Sequence, residues 1–511
     1  MNAPDPDVAT APESSRHSDA GAGWECLAGS FVDLMPSGPP ARKVNWFDLK
    51  ILWEARNDLL AKKVWDPTND ARRAWLKDVP RDDLSLDLGR ADLSFLLLGD
   101  TGEGDRSQYA LLPAIDAQAT TTDFLFICSD VIYPAGSSGE YGSKFFDPYQ
   151  RYLGPIYAIP GNHDWYDGLQ GFMRTFCGVE PPEEVVGSTR FLSRRWLQQR
   201  FWRPPDRFDA AAFANAQDLR GAESQRPLAP QRSPYFALES EHVVFVGIDT
   251  GITKTIDRDQ GEWLLDVSRG SRKAKVLLTG TPIYVNNHRQ EIAIEDGAGS
   301  FASVYEIVSE PAHNYVAAIG GDIHNYQRYP VQARGRTIQY IVSGGGGAFM
   351  HATHTIPAVD VDGVTEAEFK CYPLRRDSLA AYSRLFDRRL GRLRRGRRIL
   401  ELTPDEAALF LHEERGFELT RPLSGNVQPR RRGTRAATAV LLLPAERGFH
   451  KFLSPFFDWD DPPFFKNFLR IDVRDGRLDI ACHGVTGCRD HEGTPTLEDC
   501  VPTIALEPYS G

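Results

Sequence analysis

Short apolar runs that end in polar residues recur along the middle of the chain, between about Asp92 and Gly347. Helix-length polar segments separate these runs, and such an alternation is typical of an α/β domain. A run that is apolar at every position indicates a strand buried on both faces. We therefore predict two packed β-sheets with helices outside them. The runs are SFLLLGD, DFLFICSD, PIYAIPGN, HVVFVGIDTG, KVLLTGTP, YVAAIGGD and IQYIVSGGGG.

The segments on either side of this region have different patterns. Residues 45–76 show helical apolar spacing with a break at Pro67, which predicts helices packed against the core. From about Tyr372 the chain is strongly basic and helical in pattern, with an N-cap signal at Thr403, so we predict an inserted lobe. The last part is predicted to form a hairpin that turns at residues 474–476 and completes a core sheet.

These changes of pattern divide the chain into predicted parts. The first residues are rich in Pro, Ala, Asp and Ser and have neither a basic start nor an apolar stretch, so they predict a disordered leader rather than a secretory signal. The predicted parts are the leader at 1–30, an N-terminal helical segment at 31–90, the core at 91–360, a basic helical lobe at 361–436 and a C-terminal β segment at 437–511.

Composition and charge argue against several classes of protein. The 511 residues carry a net charge of −11, which argues against general nucleic-acid binding. The 7 cysteines are an odd number, scattered without a CxxC pair, and this predicts a reduced protein. No apolar stretch approaches the roughly 20 residues that a membrane-spanning helix needs. We therefore expect a cytoplasmic protein.

Polar side chains that can bind metal ions follow four of the apolar runs. Asp100, Asp130 and Asn162 follow the first three runs, and Asp322 and His324 follow the sixth. The carboxyl ends of strands in an open α/β sheet lie at one edge, where such folds bind their ligands. Oxygen and nitrogen donors of this kind suit divalent or trivalent ions. The ordered set therefore predicts a metal centre at the edge of the sheet.

The ordered segments GDTG, SDVIY, GNHD and GDIH resemble the motifs of the calcineurin-like metallophosphoesterases, most closely those of their purple-acid-phosphatase-like branch. The resemblance implies an α/β fold, the metallophosphoesterase four-layer sandwich of two mixed β-sheets flanked by helices, here with the basic helical lobe inserted. It also implies a first metal ion bound by Asp100, Asp130, Tyr133 and His324, all of which are present. The ions implied are Mn, Fe, Mg or Zn, with one bound firmly and the second left open.

The second metal site departs from the family pattern. Gly280 and Asp322 stand where the family has histidines, so both imidazole ligands of this site are missing. The donors that remain are oxygen atoms, and they suit Mg²⁺, Mn²⁺ or Ca²⁺ better than Zn²⁺. They belong to Asp130, Asn162 and Asp322. His288 or Asn287, a few residues past Gly280, is a candidate for a substitute donor.

The resemblance assigns catalytic roles to the GNHD segment. His163 would lie beside the substrate, paired with Asp164, and would stabilise the phosphoryl group or protonate the leaving group. The Gly-rich loop at 343–347 follows a strand, and its backbone amides could approach an anion. Packing within the loops is the alternative role for the histidines that come after it. The candidates for substrate binding are His288, His351 and His354.

The sequence is compatible with three functions. The first is a metal-dependent phosphoester hydrolase, a phosphatase or phosphodiesterase that uses a metal-activated hydroxide on a phosphorylated small molecule. The second is a mononuclear or non-catalytic metal-binding relative that acts as a sensor or scaffold for a phosphorylated ligand, which the lost histidine pair favours. The third is a peripheral membrane protein acting on phospholipid-like substrates, through the basic helix at 384–398 and the aromatic segment at 449–465. No specific nucleic-acid partner is expected.

Overall fold

The computed structural model describes residues 49–181, 200–220, 231–391, 400–419, 423, 427, 462–488 and 495–509. The strands in chain order are β1 Ser85–Asp87, β2 Leu93–Leu98, β3 Phe124–Cys128, β4 Ile156–Ile159, β5 Phe236–Glu239, β6 Val243–Ile248, β7 Thr255–Ile256, β8 Ala274–Thr279, β9 Tyr284–Val285, β10 His288–Arg289, β11 Ala293–Ala298, β12 Phe301–Ser303, β13 Tyr315–Gly320, β14 Tyr326–Ala333, β15 Arg336–Ser343, β16 Asp360–Val361, β17 Val364–Thr365, β18 Lys370–Tyr372, β19 Lys466–Arg474, β20 Arg477–Val485, β21 Thr496–Cys500 and β22 Ile504–Ala505.

The helices connect and flank these strands. In chain order they are α1 Leu49–Glu54, α2 Arg56–Lys63, α3 Thr68–Trp75, α4 Arg106–Tyr109, α5 Leu112–Ala119, α6 Gln170–Phe172, α7 Ala210–Gln217, α8 Arg258–Gly270, α9 Val304–Ser309, α10 Arg375–Gly391 and α11 Pro404–Arg415. Short 3₁₀ or π turns lie at Arg81–Leu84, Ser138–Glu140, Gly142–Phe146, Asp164–Asp167, Met173–Cys177, Asp218–Arg220 and Pro311–His313.

Two large mixed sheets form the core, which confirms the predicted fold class. One has the strand order β1-β5-β6-β8-β13-β15-β14-β18, and the other has the order β21-β20-β19-β2-β3-β4, with β22 paired to β20. All seven predicted runs are strands, namely β2, β3, β4, β6, β8, β13 and β15. Residues of β2 and β3 are buried at every position, because both faces of their sheet are covered. The sheets meet face to face, and Phe95 contacts the edge of Phe245 across the interface at 5.0 Å between ring centroids.

Parallel pairing brings the ends of these strands together. Strands β2, β3 and β4 are parallel neighbours in one sheet. Strands β6, β8, β13 and β15 are parallel neighbours in the other. The C-terminal hairpin joins the first sheet as predicted, since β19 pairs antiparallel with β2 and with β20. The carboxyl ends of both parallel sets therefore point to a common edge.

The N-terminal helices α1 to α3 pack on this core, and Pro67 precedes α3 as the sequence predicts. Arg72 of α3 is only 1% exposed, and it is bound by two buried carboxylates. Its Nε lies 2.7 Å from Asp249 Oδ2, and its Nη1 lies 2.8 Å from Asp257 Oδ2. Burial works to lower the pKa of Arg72, but the two carboxylates raise it further above its usual value. This network fastens α3 to the loop after β6.

The predicted basic lobe contributes to the core rather than standing apart from it. Helix α10 and helix α11 place Leu379, Tyr382 and Phe410 in the main apolar cluster. The predicted cap at Thr403 is present, with Glu406 completing a capping box. Helix α10 covers the start of the predicted basic helix 384–398, and residues 392–398 of that helix lie outside the described residues. Residues 449–461 of the predicted aromatic segment also lie outside them. Membrane contact through these two segments stays a prediction.

Two further expectations concern the cysteines and the membrane. Cys128, Cys177, Cys371, Cys482 and Cys500 are free thiols, but Cys488 is disulfide-bonded. The prediction of a fully reduced chain is therefore wrong in this structure, because cysteine spacing alone did not show which residues meet. Within the described ranges, every helix is too short or too polar to traverse a lipid bilayer.

Candidate metal centre

The predicted donors lie in loops that leave the carboxyl ends of four parallel strands. Asp100 follows β2, Asp130 follows β3 and Asn162 follows β4, while Asp322 and His324 follow β13. Asp100 and Asp322 have positive φ values of 59° and 66°. The backbone therefore turns sharply just after β2 and just after β13. The turns place the side chains at the sheet edge, as the sequence predicts.

Three of the predicted ligands of the first metal ion converge on the fourth. The hydroxyl oxygen of Tyr133 lies 3.1 Å from Asp100 Oδ1, 2.9 Å from Asp130 Oδ2 and 3.0 Å from His324 Nε2. These four residues come from three separate loops, and all four are almost completely buried. A buried site with two carboxylates, a phenol and an imidazole is chemically suited to a divalent or trivalent cation.

The surroundings of these donors fit a metal ion. Asp100 Oδ2 is buried and accepts no hydrogen bond from the residues that the structure describes. His324 Nδ1 lies 2.7 Å from the carbonyl oxygen of Phe349, which only accepts, so Nδ1 carries the proton and Nε2 presents its lone pair to the centre. Within the described part of the chain, no group of three or more His, Cys, Asp or Glu side chains has an arrangement that could hold a metal ion. The Tyr133 hydroxyl, which does not belong to that residue set, lies between the predicted donors. Asp100, Asp130, Tyr133 and His324 remain the predicted ligands.

The electrostatics of the centre favour a cation. Burial raises the pKa of Asp100 well above its usual value, and the charges of Asp130 and Asp322 raise it further. Burial likewise raises the pKa of Asp130. Burial and neighbouring His351 hold the pKa of His324 well below its usual value, so this imidazole is neutral, as a metal ligand must be. Carboxylates that repel one another in a low-dielectric site are stabilised as anions when a metal ion binds between them.

The second predicted site is different. The Nδ2 group of Asn162 donates to the Tyr166 hydroxyl at 2.7 Å, which leaves the amide oxygen as its acceptor atom. The Tyr166 hydroxyl in turn donates to Asp58 of α2 at 2.9 Å. Asp322 does not present a bare carboxylate, because its Oδ2 lies 2.8 Å from the Nζ atom of Lys254. The three oxygen donors predicted for this site are therefore only partly available.

The structure gives His163 and Asp164, the predicted pair, hydrogen-bond partners in the backbone. His163 Nδ1 lies 2.6 Å from the carbonyl oxygen of Pro134. The Asp164 carboxylate instead accepts the backbone N–H groups of Val131, Ile132 and Gly161, at 3.0 to 3.2 Å. Asp164 thus ties two ligand-bearing loops together and is completely buried. Burial raises its pKa to about 8, and the Asp130 carboxylate adds to the rise.

His163 itself lies at the centre. Its backbone N–H donates to Asp130 Oδ1 at 2.8 Å, and its ring contacts the Tyr133 ring at 4.6 Å between centroids. Since the Pro134 carbonyl only accepts hydrogen bonds, the proton of the neutral ring is on Nδ1. The basic nitrogen is therefore Nε2. The catalytic role predicted for this residue is compatible with its position.

The other candidate residues have different surroundings. His351 Nδ1 accepts the backbone N–H of His324 at 2.9 Å, and the centroids of the two rings are 4.4 Å apart. His351 therefore helps to hold a predicted ligand in place. His354 is 3% exposed, hydrogen bonds Ser378 and packs against the Tyr382 ring, which favours the packing alternative over substrate binding. His288 is exposed on strand β10 of a short hairpin.

Asn287, the other candidate substitute donor, is engaged elsewhere. Its Nδ2 group donates to the carbonyl oxygens of Pro357 and Ala358, each at 3.2 Å. Its backbone N–H donates to the Tyr329 hydroxyl at 3.1 Å. The amide is thus held against the loop that precedes β16, and this arrangement favours a structural role.

Two amides of the Gly-rich loop after β15 are already used within the protein. The N–H of Gly346 donates to the Gly99 carbonyl at 2.8 Å, and that of Gly344 donates to the Asn325 carbonyl. A Cβ atom on Gly344 would lie 2.5 Å from Asp100 Oδ2, and one on Gly347 would overlap the Thr101 carbonyl. The run is therefore glycine because this loop packs closely against the loop that carries Asp100.

Gly161 provides a test of the centre's packing. A methyl group there would overlap both the carboxylate and the backbone nitrogen of Asp130, so we expect Gly161→Ala to displace Asp130 and lower Mn²⁺ affinity by about 10-fold or more. Calorimetric titration of metal-free protein with Mn²⁺ measures the change. The matched control is Gly270→Ala, since a Cβ at Gly270 meets nothing within 4 Å. Equal Mn²⁺ affinities in the two variants would contradict the prediction.

Sequence reasoning missed Lys254, Tyr166 and Asp58. A signal for Lys254 was available, since this lysine follows β6 at the same sheet edge as the predicted ligands. A lysine at that edge is a cation and not a metal donor, so the ligand pattern does not select it. No pattern in the sequence relates Asp58 to Asn162, because their connection through Tyr166 exists only in the folded chain.

Residues 93–326 match the model of the calcineurin-like phosphoesterase family. No curated protein matches the chain at a significant level. Similar solved structures include GAP50, the anchor in the inner membrane complex of Plasmodium, at 11% identity and a TM-score of 0.33, over 51% of this chain and 74% of that chain.

Two further structures are similarly distant. The purple acid phosphatase PPD1 from yellow lupin seeds is 10% identical with a TM-score of 0.37, and the match covers 81% of this chain and 54% of that chain, about half of the lupin protein. TT1561 of Thermus thermophilus is 12% identical with a TM-score of 0.25, over 50% of this chain and 89% of that chain.

Proposed function

We propose that the protein is a metal-dependent phosphoester hydrolase, starting from the match of residues 93–326 to the calcineurin-like phosphoesterase family model. The observation that carries the proposal is the convergence of Asp100, Asp130 and His324 on the hydroxyl of Tyr133, each within 3.1 Å. A cation bound by these groups lowers the pKa of a coordinated water and offsets negative charge on a phosphoryl group. The proposed ions are Mn, Fe, Mg or Zn.

Each residue of the centre has a defined task in this proposal. Asp100 and Asp130 would supply negative charge to a bound ion, and the Phe349 carbonyl orients His324 so that Nε2 would be available as a ligand. His163 lies beside Asp130, where Nε2 of its ring can exchange a proton with the substrate or stabilise the phosphoryl oxygens. Asp164 acts as a positioning residue, because it holds the loops of Val131 and Gly161 in register.

The proposal is tested by hydrolysis of an aryl phosphate and its diester. Protein stripped with a chelator is assayed before and after addition of Mn²⁺, and its metal content is determined by elemental analysis. We expect turnover of at least one ester that depends on added Mn²⁺. Bound metal without turnover of either ester would overturn the proposal that the protein is a hydrolase. The choice between monoester and diester is an outcome of the same assay.

Removal of the His163 side chain is expected to affect chemistry without affecting metal binding. In His163→Ala the backbone N–H to Asp130 remains, so we expect one tightly bound metal ion as in the unaltered protein, with kcat lower by about 10²- to 10⁴-fold. The matched control is His242→Ala, because His242 lies in the turn between β5 and β6, at the opposite end of the strands. Parallel loss of metal and kcat in His163→Ala would indicate a role in building the centre instead.

A second function is favoured by one observation. The ion pair between Lys254 and Asp322 engages a donor of the second predicted metal site. This supports the alternative of a mononuclear relative that binds a phosphorylated ligand as a sensor or scaffold. Binding of inorganic phosphate to the metal-loaded protein, in the absence of any ester hydrolysis, would favour this alternative.

A further inference from the structure

A lysine ammonium group contacts one of the predicted donors of the second metal ion. Lys254 Nζ is 2.8 Å from Asp322 Oδ2 and 3.2 Å from Gln290 Oε1. We propose that Lys254 takes the place of a second metal ion, so that the centre consists of one metal ion and one lysine. The inference deepens the proposed function and rests on it in one respect, namely that the site around Tyr133 binds a metal ion.

Asp322 couples the lysine to the first site. The backbone N–H of Asp322 donates to Asp100 Oδ1 at 3.2 Å, so the two loops are in direct contact. The Asp322 carboxylate therefore belongs to the same cluster of acids as Asp100. The positive charge of Lys254 is placed next to that cluster through its contact with Asp322.

The remaining position of the second site cannot accept an imidazole. A Cβ atom at Gly280 would lie 2.8 Å from the carbonyl oxygen of Pro160 and 3.3 Å from Thr250 Oγ1. Any side chain there requires the backbone of the Asn162 loop to move. The structure therefore has no room at Gly280 for the second imidazole ligand, whereas Lys254 already contacts Asp322.

The loop that carries Lys254 is held in place from two directions. The N–H and hydroxyl groups of Thr253 both donate to Asp66 Oδ2, at 3.1 and 2.5 Å. Asp249, at the start of the loop, is bound by Arg72. Lys254 has a φ of 62°, a conformation that a lysine keeps only when its surroundings fix it. The ammonium is therefore positioned before any substrate binds.

The lysine remains accessible from solvent. Its side chain is 34% exposed, whereas that of Asp322 is 15% exposed. A phosphate group bound to the metal ion on this side would have the ammonium available as a second electrostatic contact. Lysine acts on phosphate as a compact point charge with three donors. The ligand class is therefore a phosphoryl group held between one metal ion and one ammonium group.

The experiment compares metal stoichiometry and phosphate affinity in the full chain. Metal-free protein is loaded with Mn²⁺, the bound metal is counted by elemental analysis, and electron paramagnetic resonance distinguishes isolated from spin-coupled ions. Inorganic phosphate is then titrated into the loaded protein. The variants are Lys254→Met, Lys254→Arg and the control Lys273→Met, whose lysine pairs with Glu239 on the surface with a similar exposure of 35%.

We expect one isolated Mn²⁺ per chain in the unaltered protein and in all three variants. Phosphate affinity is expected to fall about 10-fold or more in Lys254→Met and to be largely retained in Lys254→Arg and Lys273→Met. Two Mn²⁺ per chain, a spin-coupled pair, or unchanged phosphate affinity in Lys254→Met would overturn the inference. With ester hydrolysis intact, those outcomes leave the proposed function standing, whereas absence of any bound Mn²⁺ overturns both.

Discussion

Asp130→Ala is expected to abolish metal binding and hydrolysis together. Asp130 is completely surrounded by the groups of the centre, since Oδ2 accepts the Tyr133 hydroxyl and Oδ1 accepts the His163 N–H. Its removal takes away a negative charge that faces the ion and frees the turn that carries His163. We expect the bound metal to fall below the limit of detection after dialysis and kcat/KM to fall by about 10³-fold or more.

A second substitution separates charge from shape at this position. Asp130→Asn keeps an acceptor for the His163 N–H but carries no charge, so its loss of metal affinity reports the electrostatic contribution. Elemental analysis and hydrolysis of the aryl phosphate are measured on both variants. The control is Asp87→Ala, at an exposed strand end in the other sheet. Retention of metal in both Asp130 variants would show that the ion, if any, binds elsewhere.

Arg72→Met is expected to give the largest loss of stability. The methionine would fill part of the space but leave Asp249 and Asp257 buried without their cation, and the removal of one partner from a buried pair costs about 3–5 kcal/mol. Asp249 also accepts Trp165 Nε1 at 3.0 Å and the N–H of Gly251 at 2.9 Å, so the disturbance extends into the loop after β6. The free energy of unfolding is measured by urea denaturation.

The neighbouring arginine is a matched control for this prediction. Arg73 lies one position along α3, and its ion pairs with Asp70 and Glu295 are one third exposed or more. Exposed pairs of this kind contribute about 1 kcal/mol or less, so Arg73→Met should change the free energy of unfolding little. Similar losses in the two variants would show that burial of the Arg72 network is not what fastens α3 to the core.

The strands, and the meeting of Asp100, Asp130, Tyr133 and His324 at one sheet edge, could be predicted from sequence because both depend on local pattern. Each apolar run is long enough to indicate a buried strand, and each donor comes within a few residues of its end. The convergence on Tyr133 then follows from parallel pairing, which brings these strand ends together. Such features need only the chain direction and the spacing of residues.

What could not be predicted depends on partners far apart in the chain. Lys254 and Asp322 are 68 positions apart, and no local pattern selects that pair. The pairing of His163 with Asp164 was inferred from adjacency, whereas the Asp164 carboxylate turns towards backbone N–H groups that lie 3 to 33 positions away. The glycine run indicated an anion loop, but close approach to the Asp100 loop explains it, and only tertiary packing distinguishes these two uses of glycine.

The N-terminal helices limit how far the chain can be shortened without disturbing the predicted metal centre. A fragment starting at residue 92 would contain all six predicted metal donors and the whole family match. It would lack Asp58, which terminates the hydrogen-bond chain from Asn162, and Asp66, which anchors the turn before Lys254. Such a fragment would expose Asp249 and Asp257 as uncompensated acids. A protein shortened to start at residue 92 would therefore keep the predicted ligands but lose the side chains that hold their loops in place.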